Sequence, residues 1–319
     1  MGFFTYIGMS IIIYYMIYLV LFFLVDCDIA LALAEKFGRN LSKLRGKVIW
    51  ITEASNSVGE AIAYEIARNN GKMVLSSIRC DELHFIKQKC LELNPYLKSE
   101  DILILTMDIT KIETHKSCFN SVIHHFGSID IMISISGKGQ RAMWEDINLD
   151  LDRDMFKLNV FGIVSLSRTA VQYFGKKGNG HIVVLSSLAG IIGVPYSSSY
   201  TASLHAIHGY FESLRNEKLG TNLQITLIYP GPIACNISRE QVSCSGNECF
   251  QKIQGSEHKG MTAKRCAHLA LLAVVNNLDE AWMASRPFIP LIYTLTHFPN
   301  LARKIAQIVN PRRMEWLMR

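Results

Sequence analysis

Three polar side chains in the middle of the chain have the chemistry needed to move a proton onto or off a carbonyl group. They are the amide of Asn159, the hydroxyl of Ser187 and the phenol of Tyr200. A positioned hydroxyl acts as a general acid or base when its protonation state suits the pH. A tyrosine without help has a pKa of about 10, so at neutral pH it gives a proton far more readily than it takes one.

The spacing of these residues resembles that of the short-chain dehydrogenase/reductase family, whose tyrosine belongs to a Y-x-x-x-K motif. The resemblance extends over residues 1–300 and includes these runs: Ser57-Val58-Gly59-Glu60, Asp101-Ile102-Leu103, Phe126-Gly127-Ser128-Ile129-Asp130, Ser187-Leu188-Ala189-Gly190, His258-Lys259-Gly260-Met261-Thr262 and Arg286-Pro287-Phe288. It implies an oxidoreductase that uses NADP(H) and acts on small hydrophobic carbonyls or alcohols of steroid or retinoid type.

In the family's mechanism the serine polarises the carbonyl, the tyrosine passes the proton and the asparagine positions a water molecule. The family's lysine lowers the tyrosine pKa and holds the ribose hydroxyls, but Leu204 stands at this position and can do neither. Losing a group that tunes acid–base chemistry costs about 10²–10⁴-fold in rate, and alcohol oxidation would suffer most. His205 lies roughly 100° around the helix, so we expect it to be packed or exposed rather than a substitute.

The turn after the first predicted strand departs from the family's T-G-x-x-x-G-x-G pattern. Glu53 and Ser57 replace the first two glycines, and Gly59 matches the third. Those glycines let backbone N–H groups approach a pyrophosphate at a helix N-terminus. A Glu53 carboxylate that faced inward would repel the pyrophosphate, while Gly59 serves helix packing.

Other positions match the family's cofactor contacts unevenly. Asp108 resembles the contact to the adenine ring, and Arg79 is what remains of the basic pair that selects NADP. Gly137 is kept after the fourth strand, where a turn favours glycine in any case. The predicted cofactor-binding residues are Thr52, Ser55, Ser57, Val58, Gly59, Arg79, Asp108, Gly137, Pro230 and Gly231. The cofactor, if one binds, is NADP(H).

The elements that would position these residues alternate between strands and helices. Short β-branched runs predict strands at 47–52, 73–77, 102–108, 129–135, 181–186 and 223–229. The stretches between them predict helices at 58–70, 82–93, 111–126, 154–173 and 200–219. Strands that are apolar throughout and alternate with helices are typical of parallel sheets. The sequence therefore predicts an α/β fold, a Rossmann-like doubly wound parallel sheet in a single domain.

The N-terminal 25 residues predict a single-pass membrane anchor. Gly2 to Val25 is uncharged, and about 20 apolar residues span a bilayer as a helix. A cleaved signal peptide is the alternative, but the run is long and no basic residue precedes it. Basic residues between Arg39 and Lys47 favour a cytosolic domain, whereas the glycosylation sequons at Asn40 and Asn236 would matter only in a lumenal one.

The rest of the chain divides around the predicted domain. We expect a juxtamembrane linker at 26–46, the dehydrogenase-like domain at 47–285, and an apolar then basic tail at 286–319. Within the domain, the polar stretch 231–262 is predicted to be a lid or substrate loop. Thr262 is positioned to cap a helix that runs to Val275.

Charge and cysteine usage limit the kinds of partner that the sequence predicts. The net charge is +6, but no stripe of basic residues is interleaved with aromatic ones, so the sequence does not predict binding to nucleic acid. The partner that it predicts is a lipid bilayer. The resemblance implies the endoplasmic reticulum membrane, and a homodimer is a further expectation. The eight cysteines show no zinc spacing, so no metal is predicted; Cys244 and Cys249 could pair only in a lumenal domain.

Three interpretations stay open from the sequence. The chain is a family member that has lost most or all activity and acts as a binding or partner protein, a working reductase with a reduced Asn-Ser-Tyr site, or a decayed copy that folds poorly. The changes at Glu53, Ser57, Ser134 and Leu204 surround one ligand, which favours the first.

Overall fold

A parallel sheet of seven strands forms the centre of the protein, which is seen here in a computed structural model that describes residues 2–234, 241–243, 260–302 and 304. The strands in chain order are β1 (Val48–Thr52), β2 (Lys72–Ser77), β3 (Ile102–Thr106), β4 (Ile131–Ile135), β5 (Gly139–Arg141), β6 (Gly180–Leu185), β7 (Leu223–Pro230), β8 (Ile233–Ala234), β9 (Gln241–Ser243), β10 (Met261–Thr262) and β11 (Glu280–Met283). The large sheet has the order β11-β7-β6-β4-β1-β2-β3, and β8 pairs with β10 and β5 with β9 outside it.

The helices connect successive strands and cover the sheet. In chain order they are α1 (Phe3–Leu24), α2 (Ile29–Phe37), α3 (Ser57–Arg68), α4 (Cys80–Leu93), α5 (His115–Phe126), α6 (Leu149–Phe156), α7 (Ile163–Lys177), α8 (Ser198–Glu217), α9 (Ala263–Val275) and α10 (Phe288–His297). A π-helical turn, Lys157–Gly162, joins α6 to α7. Thr262 caps α9 as predicted, with its hydroxyl accepting from the Arg265 N–H.

Two apolar cores, one on each face of the sheet, confirm the doubly wound arrangement. Side chains of α3, α4 and α9 pack on one face, and those of α5, α7, α8 and α10 pack on the other. The strands are apolar along their whole length because both faces are covered. Each fully buried Leu or Ile contributes about 1.5–3 kcal/mol to folding, so these two layers hold the strand ends in place.

Some predicted boundaries were wrong. The edge strand β11 was not predicted, and β3 ends at Thr106, so Asp108 lies beyond the strand. The helix predicted at 111–126 begins at His115, after a 3₁₀ turn at Ile112–Thr114. The helix predicted at 154–173 starts earlier, at Leu149, and is interrupted by the π turn, which inserts an extra residue into the helical ladder.

The segment after α1 is packed onto the domain. Cys27 pairs antiparallel with Met283 of β11, and backbone hydrogen bonds join Asp28 N to Trp282 O and Ala284 N to Asp26 O. Leu31, Leu41 and Leu44 enter the core of the α9 face. The stretch that the sequence assigns to a linker is therefore continuous with the folded domain.

The helix α1 coincides with the predicted anchor, and its described side chains are mostly exposed. When the described residues are searched, none of their helices combines the length and hydrophobicity needed to cross a bilayer. The predicted cysteine pair, the sequon at Asn236, most of the predicted lid and nearly all of the basic tail lie outside the described residues.

Candidate functional site

The turn between β1 and α3 is tight although Glu53 and Ser57 stand at positions where the sequence pattern of the family has glycine. Glu53, at the first glycine position, has a φ of 50°, in the left-handed region that glycine adopts more easily. Asn56 caps α3 by accepting a 2.7 Å hydrogen bond from the Gly59 N–H. A Cβ at position 59 would lie 2.8 Å from Ala54 Cα and from Glu53 O, so only glycine fits against the turn.

The Glu53 carboxyl is half-buried and faces other charged groups. Burial raises its pKa, the positive charges of Arg79 and Lys138 oppose that rise, and the negative charge of Asp108 adds to it. These neighbours follow β2, β4 and β3, so Glu53 faces the carboxyl ends of the strands. Ligands of doubly wound sheets bind at that edge.

The predicted NADP-selecting residue Arg79 is held by protein groups. Its guanidinium donates from Nε to Ser55 Oγ at 3.1 Å, from another nitrogen to Ser55 O at 3.0 Å, and to Glu82 Oε1 at 3.2 Å. Ser55 Oγ also lies 2.6 Å from Ser77 Oγ. The side chains of Arg79, Ser55 and Ser77 could each contact a 2′-phosphate, but all three already form hydrogen bonds within the chain.

Asp108 lies in the short loop that follows β3. Its carboxylate accepts from the Thr110 N–H at 2.9 Å and from the Thr110 hydroxyl at 2.7 Å. Burial alone would raise the pKa of Asp108, but these hydrogen bonds and the charges of Lys111 and Lys157 keep it below its usual range. Asp108 is thus an ionised acceptor at the position of the family's adenine contact.

Asn159 lies in the π turn and is fully buried. Its amide nitrogen donates to Lys138 O at 3.3 Å and to Ser203 Oγ at 3.1 Å, and Ser203 Oγ donates to Tyr200 O at 2.7 Å. A Cβ at Gly137 would lie 2.7 Å from Asn159 Oδ1. Close approach to Asn159 explains this glycine, whose φ is not positive, so the turn expected from sequence is not the reason.

Ser187 and Tyr200 lie on segments that pack against each other. Ser187 begins the 3₁₀ turn after β6, and Tyr200 is in the first turns of α8; both are half-buried. A Cβ at Gly190 would lie 3.1 Å from Leu204 O and 3.2 Å from Leu204 Cβ, which shows how closely the two segments meet. The segments that carry the three predicted catalytic residues therefore lie together: α8 contacts the turn after Ser187, and Ser203 links the Asn159 amide to the Tyr200 backbone.

Leu204 is completely buried, but it lies outside the two large apolar cores. Its neighbours include Gly190 and, through Ser203, the Asn159 amide. His205 is exposed, and its Nδ1 lies 2.9 Å from Thr201 O of the same helix. The histidine is turned away from the Leu204 position, so it does not supply the missing cation.

The other predicted cofactor-binding residues make contacts that stabilise the fold itself. Thr52 Oγ1 accepts from Ile135 N at 3.2 Å and joins β1 to β4. The Gly231 N–H donates to Met283 O at 2.7 Å, and a Cβ there would lie 2.7 Å from Ala284 Cβ. Pro230 pairs with Met283 in register, while Ser57 and Val58 form the first turn of α3.

Sequence reasoning missed three residues of this site. Asn56 has a recognisable signal, because asparagine is favoured at helix N-caps. Ser203 precedes the lysine position and carries no signal that links it to Asn159. Lys138 follows the Gly137 turn, and only the folded chain shows that its charge faces Glu53.

The two ends of the site differ in how well they suit a nicotinamide dinucleotide. In β4, directly after β6 and in the π turn, the buried atoms Ser134 Oγ, Ser186 Oγ and Asn159 Oδ1 have no hydrogen-bond partner in the described structure, so polar capacity remains there. At the pyrophosphate and ribose end, Glu53 supplies a carboxyl and Leu204 no cation. The residues present therefore do not fit a complete dinucleotide.

Comparison with known proteins agrees with this fold. A model of the family described as short chain dehydrogenase matches residues 47–244. The chain is 35% identical over 303 residues to dehydrogenase/reductase SDR family member 7 of Homo sapiens, covering 94% of this chain and 88% of the relative. It is 31% identical over 258 residues to 11-beta-hydroxysteroid dehydrogenase-like 2 of Arabidopsis thaliana, covering 80% and 79%.

A solved structure gives the same fold. An alcohol dehydrogenase from Thermococcus sibiricus, complexed with 5-hydroxy-NADP, aligns with a TM-score of 0.64 and 19% identity, covering 76% of this chain and 97% of that one. A doubly wound parallel sheet with Asn, Ser and Tyr at its carboxyl edge defines an oxidoreductase of Rossmann-like fold. The chain belongs to the short-chain dehydrogenase/reductase family.

Proposed function

We propose that this protein is a short-chain dehydrogenase/reductase whose hydride-transfer activity is lost or strongly reduced, and which acts as a binding or partner protein. The observation that carries the proposal is the fully buried Leu204 beside the Asn159–Ser203–Tyr200 hydrogen-bond chain. An apolar side chain at this point neither lowers the pKa of a neighbouring phenol nor binds ribose hydroxyls. The surrounding scaffold is intact, which argues against a decayed copy.

The catalytic residues that remain support carbonyl reduction better than alcohol oxidation. Ser187 can donate a hydrogen bond to a carbonyl oxygen, and Tyr200 can give that oxygen a proton as a neutral phenol. Alcohol oxidation needs the phenolate, which is scarce at neutral pH without a nearby cation. A nicotinamide cofactor, when bound, supplies or accepts the hydride. Residual activity is therefore expected in the direction of carbonyl reduction.

A working reductase with the reduced Asn-Ser-Tyr site is the second candidate. It is supported by the proximity of the segments that carry Asn159, Ser187 and Tyr200 and by the buried polar atoms, Asn159 Oδ1 among them, that have no hydrogen-bond partner in the described structure. Its cofactor would be NADP(H), because Arg79 follows β2 at the NADP-selecting position. Its substrates would be hydrophobic carbonyls, a proposal supported by the steroid-type name of one relative.

We further propose that residues 1–25 anchor the protein in a membrane, such as that of the endoplasmic reticulum. The support is the uncharged sequence from Gly2 to Val25 and the exposed apolar side chains of α1. The lipid bilayer is thus a proposed partner, together with a second copy of the chain. Glycan analysis at Asn40 tests the side of the membrane, because only a lumenal domain would be modified there.

Turnover and cofactor binding test the two candidate functions separately. The purified full-length protein is titrated with NADPH and NADP⁺ while thermal stability is followed, and carbonyl reduction is then measured with a panel of hydrophobic ketones and aldehydes. We expect carbonyl reduction to be weak or absent, because losing the group that tunes the acid–base chemistry lowers the rate by about 10²–10⁴-fold. Reduction at rates typical of enzymes, about 1–10³ s⁻¹, would refute the proposed loss of activity.

Leu204→Lys tests whether the missing cation limits the chemistry. We expect the variant to raise turnover by about 10²-fold or more over the parent, because a positioned ammonium favours the phenolate and binds ribose. Leu204→Met is the matched control, since it keeps the buried volume without adding charge. Thermal unfolding of both variants establishes that they fold. No gain by a folded lysine variant that binds NADPH contradicts the argument from Leu204.

A further inference from the structure

The Glu53 carboxyl lies at the point where doubly wound proteins bind phosphate. Glu53 is the first residue after β1, and α3 begins four residues later; the positive end of the helix dipole at such an N-terminus attracts anions. Its backbone has a φ of 50°, a conformation that is costly for any residue with a Cβ. A carboxyl group is therefore held here on a backbone conformation that glycine would adopt more easily.

Charged groups from three neighbouring loops face this carboxyl. Arg79 follows β2, Lys138 follows β4 and Asp108 follows β3, and these are the charges that act on Glu53. The two cations would be the natural partners of a dinucleotide's phosphates. With Glu53 present, part of their positive field is already neutralised by the chain itself.

Other phosphate-binding groups are also occupied from within. The Gly59 N–H donates to Asn56 Oδ1, and Arg79 donates to Ser55 and Glu82. The chain thus supplies its own acceptors for donors that a phosphate would otherwise use. In the described structure, these donors at the phosphate end of the site are therefore already hydrogen-bonded to acceptors of the chain itself.

We propose that Glu53 determines which nucleotides this site admits, because its carboxylate excludes pyrophosphate-bearing dinucleotides until its negative charge is removed. The inference deepens the proposed function and rests on it, since it gives the reason for weak cofactor binding apart from Leu204. Ligands without a pyrophosphate, such as adenosine, do not meet this repulsion. Protonation removes the charge, so dinucleotide affinity depends on pH.

The direction of the pH dependence follows from the surroundings of Glu53. Burial raises the pKa of this carboxyl, so its neutral form is present at higher pH than for an exposed glutamate. Arg79 and Lys138 oppose the rise and Asp108 strengthens it. Dinucleotide affinity is therefore expected to increase as the pH falls toward and through this raised pKa.

Glu53→Gln in the full-length protein tests the proposal, because it removes the charge and keeps the side-chain length. We expect it to bind NADP⁺ between about fivefold and a thousandfold more tightly at neutral pH, the range for one like charge at about 4 Å. Glu60→Gln is the control: Glu60 lies on α3, the helix that follows Glu53, but its carboxylate accepts from the Tyr64 hydroxyl at 2.7 Å. Adenosine should bind all three proteins alike.

The pH dependence is measured with NAD⁺, which lacks the titrating 2′-phosphate. Unsubstituted protein should bind it more tightly in mild acid, and Glu53→Gln should remove that dependence. If the amide variant unfolds, Glu53→Gly replaces it, because glycine suits the positive φ. Equal NADP⁺ affinity of a folded position-53 variant and the parent would overturn the proposal.

The test of Glu53 by cofactor binding and the test of the proposed function by turnover can fail independently. Tight, pH-independent binding of NADP⁺ by the unsubstituted protein overturns the role of Glu53, and absent turnover would then still support the proposed function. Rapid turnover by the unsubstituted protein overturns the proposed function. Gain of binding by Glu53→Gln without gain of turnover supports both, because Leu204 still withholds the cation.

Discussion

At the scale of single residues, close packing explains glycines that a motif would assign to ligand binding. Gly59 faces the backbone of Ala54 and Glu53, and Gly137 faces the side chain of Asn159. Gly231 faces Ala284. Retaining these glycines is therefore a requirement of the fold, and it gives no information on whether a dinucleotide binds.

Gly59→Ala should destabilise the protein by about 1–3 kcal/mol, because its Cβ would force the turn away from α3. Gly209→Ala is the control: Gly209 is also inside a helix, but a Cβ there meets nothing within 4 Å. Alanine should stabilise that site by about 0.5–1 kcal/mol. Urea unfolding of both variants gives the comparison, and equal effects at the two positions would contradict the packing explanation.

At the scale of elements, the predictions succeeded where the pattern was long and locally determined. The apolar strands and the Thr262 cap were placed to within a residue or two, because burial and capping are encoded locally. The edge strand β11 has four residues and alternates in burial, so its signal is weak. The π turn at Lys157–Gly162 inserts one residue into a continuous helical pattern, which the sequence does not mark.

The same limit applies to the site. The motif positions of Asn159, Ser187 and Tyr200 could be found from spacing alone. The charges around Glu53 could not, since Arg79, Asp108 and Lys138 meet it only through parallel strand pairing. Contacts between residues far apart in the chain depend on topology, whereas motif spacing is local.

Asp28 joins two elements, α2 and β11. Its carboxylate accepts from the Leu31 N–H at 2.9 Å as the N-cap of α2, and from the Trp282 N–H at 2.7 Å. Asp28→Ala should cost about 2–4 kcal/mol, because it removes a cap and leaves a buried N–H without an acceptor. Asn148→Ala, which removes only an exposed cap of α6, should cost about 1 kcal/mol. Similar losses in chemical denaturation would refute this dual role.

At the scale of the whole molecule, one sheet lies between the two cores, so a titratable group buried in a central strand is expected to affect the stability of both. His181 in β6 is buried, and its Nε2 lies 2.8 Å from Thr226 Oγ1. Thr226 Oγ1 itself donates to Leu278 O, so the histidine nitrogen is the donor to Thr226. Burial lowers the pKa of His181 to about 4.

This lowered pKa predicts acid sensitivity. The unfolded chain binds a proton at His181 below a pH of about 6.5, whereas the folded chain does so only near 4, so stability falls between these values by about 3 kcal/mol. His181→Gln keeps a donor for Thr226 and should reduce the fall; His115, whose pKa burial also lowers, is unchanged in this variant. His205→Gln changes an exposed ring and should leave the pH profile of denaturant unfolding unchanged. An unaltered profile for His181→Gln would count against the assignment.

The antiparallel contact of Cys27 with Met283 has a consequence for the molecule in a crowded cell. An open strand at the edge of a sheet offers unpaired N–H and C=O groups to any other chain with a free strand. Here the residues around Cys27 already occupy part of the β11 edge. A truncated protein that begins after Asp28 would lack these contacts and would expose the β11 edge. We expect such a protein to self-associate by adding strands at that edge.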